Sequence, residues 1–264
     1  MSTTKGLAKY LAFARIAATQ ARRDRGELYG RVVFFAVILG VFSSLWRATT
    51  EAGVAIAGDP RTLVWYLAAT EYVLLSAPLI HIDIQDAVRR GDVMTMLGRP
   101  VSYVGAAFAE GLGQLVIRAP VLAATAFLCA FAFTGWIPPS LALVAVAGFG
   151  LIAAALLTAL HLGIGLLAFW IEDVSPVYWM WSKLLFVLGG LMLPLGFYPD
   201  WLQRLAALTP FPVILAAPAS FVLESGAVAP HLLAIRLVMW GGFTAIALRW
   251  LFGRASSRLT INGG

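Results

Sequence analysis

Six long apolar blocks constrain this chain more than any other feature. Hydrophobic residues make up 61% of its 264 residues and charged residues only 12%. A bilayer core about 30 Å thick is crossed by about 20 apolar residues of helix. The candidate crossings are Arg31–Trp46, Leu63–Ile80, Leu115–Thr134, Leu141–Trp170, Trp179–Leu195 and Leu232–Phe252. They predict an all-α, polytopic membrane protein with six transmembrane helices.

The lengths and faces of these blocks refine the prediction. The first block is short and must borrow residues from its flanks, whereas the fourth is long enough to tilt or to project beyond the bilayer. The blocks are apolar on every face. They therefore do not fit a β-barrel, whose strands alternate polar and apolar residues, and they do not fit the helices of a soluble core.

The lysines and arginines are distributed unevenly between the two sides of the membrane. With a cytoplasmic N-terminus, 15 of the 19 fall inside, and only Arg47, Arg61, Arg204 and Arg236 fall outside. This bias follows the positive-inside rule and predicts that both termini are cytoplasmic. The same basic residues explain the pI of about 9.8 without a nucleic-acid partner, and they are expected to face an anionic inner leaflet that attracts them.

No linker or internal repeat divides the chain, so residues 1–264 are predicted to form a single transmembrane domain. Residues 1–30 are expected to form a cytoplasmic interfacial helix, 31–252 a six-span bundle and 253–264 a cytoplasmic tail. The helix is predicted from three- and four-residue spacing of Leu7, Tyr10, Leu11, Ala14 and Ala18. A solvated tail is the alternative. The basic residues before the first block argue against a cleavable signal peptide.

A charged segment, HIDIQDAVRRGDVMTMLGRP, separates the second and third blocks. From Ile82 a helix can continue to Arg90, and Gly91 is a natural C-terminal stop. Asp92 can cap a second short helix that continues to Leu97. The pattern predicts two short helices joined by a tight corner and projecting into the cytoplasm.

Three polar residues mark the predicted cytoplasmic base of the third span. Glu110, Gln114 and Arg118 lie four residues apart, so they share one helix face. This polar stripe has two interpretations, a structural one in which the stripe pairs with itself and a functional one. The structural interpretation is favoured because ion pairs at this spacing are common on helices.

The Pro-rich region after the fifth block is expected to lie outside the membrane. It contains a short amphipathic piece, Asp200–Leu208, and an apolar piece, Val213–Leu223, that is too short to cross. We expect a re-entrant or interfacial hairpin between spans five and six.

The sequence contains none of the motifs that we sought for catalysis. A P-loop requires Gly-Lys followed by Ser or Thr, and no lysine here follows a glycine. There is no HExxH, no GxSxG and no Cys/His cluster. We therefore expect no ATP hydrolysis by this chain through a P-loop, no metal site and no cofactor.

Two ionisable residues lie within the spans. Glu71 is near the middle of span two, where a charge costs at least about 2.5–3.5 kcal/mol. Either it lines a transport path or subunit interface, or it makes an interhelical hydrogen bond. His161 in span four is expected to serve in helix packing, because Ala159, Gly163 and Gly165 favour a close helix contact.

Taken together, these features resemble the membrane subunit of bacterial type-2 ABC exporters, in particular the six-span permeases of uncharacterised efflux systems. The matching segments are DIQDAVRRGDVMTMLGRP and LMLPLGFYPDWLQRLAALTPF. DAVRRGD is also similar to the Glu-Ala-Ala…Gly loop of importer permeases. That loop normally precedes the last spans of an importer, whereas here it follows the second, which favours export.

The resemblance implies that the loop after span two contains the coupling helix, which docks on a separate ATPase subunit. The implied coupling residues are Asp83, Asp86, Val88, Arg89, Arg90, Asp92, Met94 and Leu97. It also implies two ATPase subunits per complex, a second permease that is identical or related, and a substrate path lined by spans two and five. The alternative for this segment is a solvated charged loop without a partner.

The leading function is therefore a permease subunit of an ATP-driven exporter, which forms half of a substrate pathway and contacts membrane lipids. A stand-alone carrier or channel is the alternative, although it predicts inverted repeats and broken helices with polar residues. A membrane enzyme would need convergent acid, base or metal groups, which the sequence lacks. A purely structural scaffold would have no ATPase partner.

Overall fold

The computed structural model describes residues 3–53, 59–97, 101–223 and 228–261, and every secondary-structure element in these ranges is helical. This confirms the all-α prediction for the described residues. The α-helices are α1 (Thr3–Arg23), α2 (Arg25–Glu51), α3 (Pro60–Ser76), α4 (Ile80–Arg89), α5 (Asp92–Leu97), α6 (Tyr103–Thr134), α7 (Ser140–Leu166), α8 (Ser175–Leu188), α9 (Asp200–Ala207), α10 (Phe211–Ile214), α11 (Ala216–Ala219) and α12 (Pro230–Ile261).

Five helical stretches of the described residues are long and apolar enough to cross a membrane. They are Arg25–Glu51, Pro60–Arg89, Tyr103–Thr134, Ser140–Phe169 and Pro230–Ser256. The first stretch extends beyond the predicted block Arg31–Trp46 at both ends, as we expected from the shortness of that block. The third begins at Tyr103, and the helix that contains the last continues to Ile261, through most of the predicted tail.

The predicted fifth span, Trp179–Leu195, differs from the structure. Its helix, α8, has 14 residues and a length of about 21 Å, which is less than the apolar thickness of a bilayer. The helix ends because Gly190 adopts a left-handed backbone with φ 67°. Five helical stretches of the described residues are thus candidate crossings by length and composition, and a sixth crossing through α8 stays a prediction.

Two hydroxyl groups of α3 bind the chain where α8 ends. Tyr66 donates a hydrogen bond to the carbonyl of Gly190 (2.6 Å), and Thr70 donates to the carbonyl of Leu191 (2.7 Å). Both contacts are buried, so they satisfy carbonyl groups that a continuing helix would have bonded. The position where α8 stops is thus fixed against the centre of the bundle.

The centre of the bundle is α3. Its residues from Thr62 to Val73 are all buried, and it packs against α2, α6 and α7. Fully buried side chains from each neighbour, Leu39 of α2, Leu122 of α6 and Leu157 of α7, belong to the same apolar core. The second span is therefore enclosed by other helices of its own chain.

Pro78 interrupts the second predicted span, whereas Pro120 lies inside α6 without ending it. Ala77 before the proline is extended (ψ 127°), as expected for a residue that precedes proline. Helix α4 then begins at Ile80 as a separate helix. The structure thus shows a helix break at Pro78 and an unbroken helix at Pro120.

Helix α1 lies along the first half of α6. A Cβ atom on Gly113 would overlap with the carbonyl group of Ala14, and one on Gly105 would lie 2.8 Å from the ring of Tyr10. Leu7 and Leu11 remain exposed, Leu7 by 64%. One side of the predicted amphipathic helix thus packs on α6, and its position in the membrane interface stays a prediction.

The Pro-rich region folds into three short helices, α9, α10 and α11. The amphipathic piece predicted at Asp200–Leu208 corresponds to α9, and the apolar piece contains α10, α11 and a terminal 3-10 turn. We call residues 194–223 the outer hairpin. Its location relative to the bilayer stays a prediction.

Candidate functional site

The charged segment after span two forms the predicted helix, corner and helix. Helix α4 ends at Arg89, and Gly91 then takes a left-handed backbone with φ 75°, which glycine adopts at no steric cost. Helix α5 begins directly at Asp92. The backbone N–H of Arg90 donates to the carbonyl of Asp86 (3.0 Å), which completes the last turn of α4. We call residues 80–97 the α4–α5 corner.

Helix α4 has a buried face and an exposed face. Ile80, His81, Ile84 and Gln85 are buried, and the two isoleucines pack with Leu162 and other residues of α7. The close approach depends on Gly165 of α7, where a Cβ atom would lie 2.9 Å from Ile84. This packing holds α4 as a rigid projection of the bundle.

The implied coupling residues are distributed between these faces. Asp83, Arg89, Arg90 and Asp92 are exposed, whereas Asp86 and Val88 are partly buried. Met94 and Leu97 are on α5, but their side chains lie outside the described residues. The structure thus brings six of these side chains to one end of the bundle, along α4 and the start of α5.

Two hydrogen bonds attach α4 to the loop between α7 and α8. The buried Gln85 accepts a hydrogen bond at Oε1 from the backbone N–H of Val174 (2.7 Å). Arg89 donates through Nε to the carbonyl of Glu172 (2.8 Å). We call this pair of contacts the Gln85–Arg89 clamp. The sequence analysis missed it, because its partners are more than 80 residues apart and no local pattern links them.

A histidine and aromatic cluster joins α4, α7 and α8. The ring of His81 stacks on that of Tyr178, with centroids 4.0 Å apart, and His161 meets Tyr178 edge to face at 5.6 Å. The Nδ1 atom of His161 also lies 3.1 Å from the carbonyl of Pro78. His161 therefore serves in helix packing, as predicted, and it does so at the break between α3 and α4.

Arg31 of α2 satisfies other carbonyl groups at the same break. Its guanidinium donates to the carbonyl of Leu75 and reaches that of Ala77 at 3.5 Å. It also forms an ion pair of 2.8 Å with Glu27. Glu27 in turn binds Arg118 of α6 at 2.5 Å, so α2 is linked to α6 by an ion pair and to the end of α3 by hydrogen bonds.

The polar stripe of α6 faces two different partners. Arg118 pairs with Glu27 of α2 and not with Glu110 in its own helix. Glu110 and Gln114 line a cavity of about 120 Å³ that Asp83 of α4 also lines. The stripe thus lies between the α4–α5 corner and the bundle, and its functional interpretation stays a prediction.

Charged groups at the exposed surface near the corner are stabilised locally. Arg90 and Asp92 form an exposed ion pair of 2.9 Å, which raises the pKa of Arg90. In the loop after α7, the hydroxyl and backbone N–H of Ser175 donate to Asp173, which lowers the pKa of that carboxyl group. The surface near the corner therefore presents acidic and basic side chains close together.

Glu71 lies apart from this site. It is on α3, is 3% exposed, and its Oε2 atom has no hydrogen-bond partner among the described residues. It is surrounded by the core of its own chain instead of facing an open surface. Its assignment to a pathway or subunit interface stays a prediction.

The fold and this site define a multi-pass helical membrane protein with a charged helix–corner–helix at one end of the bundle. Residues 70–263 match the family described as ABC-2 family transporter protein, and the match includes the α4–α5 corner and the outer hairpin. Because this is well over half of the chain, the protein belongs to the ABC-2 transporter family, whose members are the membrane components of ABC transporters. No curated protein matches the chain significantly.

Proposed function

We propose that the chain is the permease subunit of an ATP-driven exporter and that a separate ATPase subunit docks on the α4–α5 corner. The observation that carries the proposal is the rigid attachment of this corner to the bundle. It is fixed by the Gln85–Arg89 clamp and by packing on α7. The fixed corner allows movement of a docked partner to reach the spans as a rigid-body displacement.

Two contacts and one helix break provide the proposed route for that movement. The clamp carries it from α4 to the loop before α8. The stack of His81 on Tyr178 carries it to α8 itself. The break at Pro78 separates α4 from α3, so α4 can shift by a change of backbone angles there while α3 stays packed.

The proposed topology places the α4–α5 corner, α1 and both termini in the cytoplasm of a bacterial cell. The inside excess of lysine and arginine supports this orientation. In that orientation the exposed leucines of α1 face the inner leaflet and the outer hairpin faces the opposite side. In this proposal, α8 and the outer hairpin together form the sixth crossing.

The chain is proposed to pair with a second permease, identical or related, so that each supplies half of the substrate pathway. Helix α3 is enclosed, whereas α8 has an exposed apolar face with Trp179, Met180, Leu184 and Val187. The family resemblance implies that spans two and five line the pathway. These exposed residues support α8, in the predicted fifth span, as the lining element. Glu71 contributes to the pathway in this proposal only if α3 becomes accessible during transport.

The experiment that tests this function is gentle purification of the tagged chain from its native membrane, followed by mass spectrometry of the bound proteins. We expect a P-loop ATPase in stoichiometric amount, with two copies per pair of permeases. A second, related permease would identify a heteromeric pore. Absence of an ATPase after chemical crosslinking would contradict the proposal and favour a stand-alone carrier or channel.

A further inference from the structure

A cavity of about 740 Å³ lies at the end of the bundle where α3 and α12 begin. Its walls come from the first turns of α3, from the outer hairpin and from α12. Sites for small organic ligands occupy about 300–1,000 Å³ and combine apolar walls with a few polar groups. The cavity has a suitable size for such a ligand and is formed within one chain.

Polar and apolar groups follow each other in the same order on the two long helices that line the cavity. On α3, Asp59 precedes Tyr66 by about two turns and Thr62 precedes it by about one turn, and on α12 Arg236 precedes Met239 and Trp240 by about one turn. Both helices begin at the same end of the cavity. On these two helices the polar groups therefore lie nearer the helix starts than the aromatic and apolar groups do. The hairpin contributes apolar residues, Leu195, Val213 and Ala217, and polar ones, Gln203, Thr209 and Ser220.

The charged groups that line this cavity are the guanidinium group of Arg236 and the carboxylate of Asp59. Arg236 forms no ion pair or hydrogen bond with any residue in the described ranges. The carboxylate of Asp59 is already engaged as the N-cap of α3, where it accepts a hydrogen bond of 2.9 Å from the backbone N–H of Arg61. A guanidinium group with free donors matches the geometry of a carboxylate or phosphate group.

We propose that this cavity binds an anionic amphiphile, with its carboxylate or phosphate group at Arg236 and its apolar chain against Tyr66, Met239 and Trp240. The ligand is either a lipid of the surrounding membrane or a diffusible amphiphile of the same chemistry. The site lies within a single permease chain and requires no ATPase, so its test is independent of the proposed function.

Native mass spectrometry of the purified protein, released from detergent, provides the test. The added probes are palmitate, dodecyl phosphate, phosphatidylglycerol, dodecyltrimethylammonium and inorganic phosphate. We expect one anionic amphiphile per chain, with affinity reduced roughly tenfold in Arg236→Gln, because a charge-assisted hydrogen bond is lost. Arg236→Lys keeps part of the affinity. The matched control is Arg204→Gln, which changes an outer arginine that does not line the cavity.

A second variant tests the apolar part of the site. Ala216→Phe adds a ring to the half-buried wall of the cavity, and it should reduce binding while Arg236 is intact. Phosphatidylglycerol that is retained from the membrane by wild-type protein and lost in Arg236→Gln would identify a lipid ligand. Binding of only the added palmitate or dodecyl phosphate would identify a diffusible amphiphile.

Three results would overturn the proposal. The first is equal binding of dodecyltrimethylammonium and dodecyl phosphate, since the site would then not select an anion. The second is equal affinity of Arg236→Gln and Arg204→Gln for the anionic probes. The third is binding of inorganic phosphate as tight as that of dodecyl phosphate, because the apolar chain would then contribute nothing.

Discussion

At the Pro78 break, two side chains from distant parts of the sequence replace hydrogen bonds that a continuous helix would have made. Arg31 donates to carbonyl groups at the end of α3, and His161 meets the carbonyl of Pro78. A backbone carbonyl without a partner costs several kcal/mol in an apolar medium, by order of magnitude. The break is therefore a stable feature of the folded chain with its own set of supporting residues.

Replacing Arg31 should reveal this support. We expect Arg31→Ala to destabilise the protein by about 1–3 kcal/mol, because partly buried carbonyl groups and Glu27 lose a donor. Thermal unfolding in detergent would measure the change. Arg22→Ala is the control, since Arg22 is exposed and forms no bond within the described ranges. Equal unfolding midpoints for the two variants would contradict the role given to Arg31.

The Gln85–Arg89 clamp can be tested at a single backbone amide. Gln85→Leu removes the acceptor of the Val174 N–H, so we expect faster hydrogen exchange at residues 172–176. Gln85→Glu keeps an acceptor oxygen in the same place and should preserve most of the protection. Exchange that is unchanged in Gln85→Leu would show that the bond does not hold the loop.

At the scale of elements, the α4–α5 corner is formed by short helices that would be marginal in isolation. The left-handed Gly91 allows the sharp turn, and the packing of α4 on α7 holds its direction. The corner therefore depends on one local residue and on one tertiary contact surface.

Substitution of Gly91 tests the contribution of this residue to the corner separately from the packing of α4 on α7. Gly91→Ala should destabilise the corner by about 1–2 kcal/mol, because a Cβ atom disfavours positive φ. We expect weaker stimulation of the partner ATPase by substrate in this variant. Gly253→Ala in α12 is the control, since no atom lies within 4 Å of its Cβ position. Equal stimulation in both variants would contradict a role for the corner geometry.

The corner could be predicted from the sequence because its signals are local. Gly91 stops one helix and Asp92 starts the next within two positions. The end of α8 was missed because it depends on Tyr66 and Thr70, more than 100 residues away. The clamp was missed for the same reason, and the polar stripe was recognised without its partner Glu27 on α2.

At the scale of the whole molecule, the bundle encloses its second span and places α1 against α6. The contact of α1 is tight because Gly113 allows the backbone of Ala14 to approach. The first helix is therefore a packed part of the bundle as well as a candidate for the membrane interface. The family match begins at residue 70, so α1 lies outside the matched residues, whereas its packing partner α6 lies within them.

Substitution at this contact should release α1. Gly113→Ala places a Cβ atom where the Ala14 carbonyl lies, so we expect faster tryptic cleavage at the basic residues of α1. Gly148→Ala in α7 is a matched control with open space at its Cβ position. The same cleavage rate in both variants would show that α1 is held by other contacts.

The central claim is that the α4–α5 corner contacts the ATPase, and site-specific photo-crosslinking tests it most directly. A photoreactive residue would replace Arg90 at the exposed corner or, as a control, Arg204 in the outer hairpin. The account predicts an ATPase adduct from position 90 and none from position 204. An ATPase that co-purifies with the chain but gives no adduct from position 90, or gives one from position 204, would contradict it.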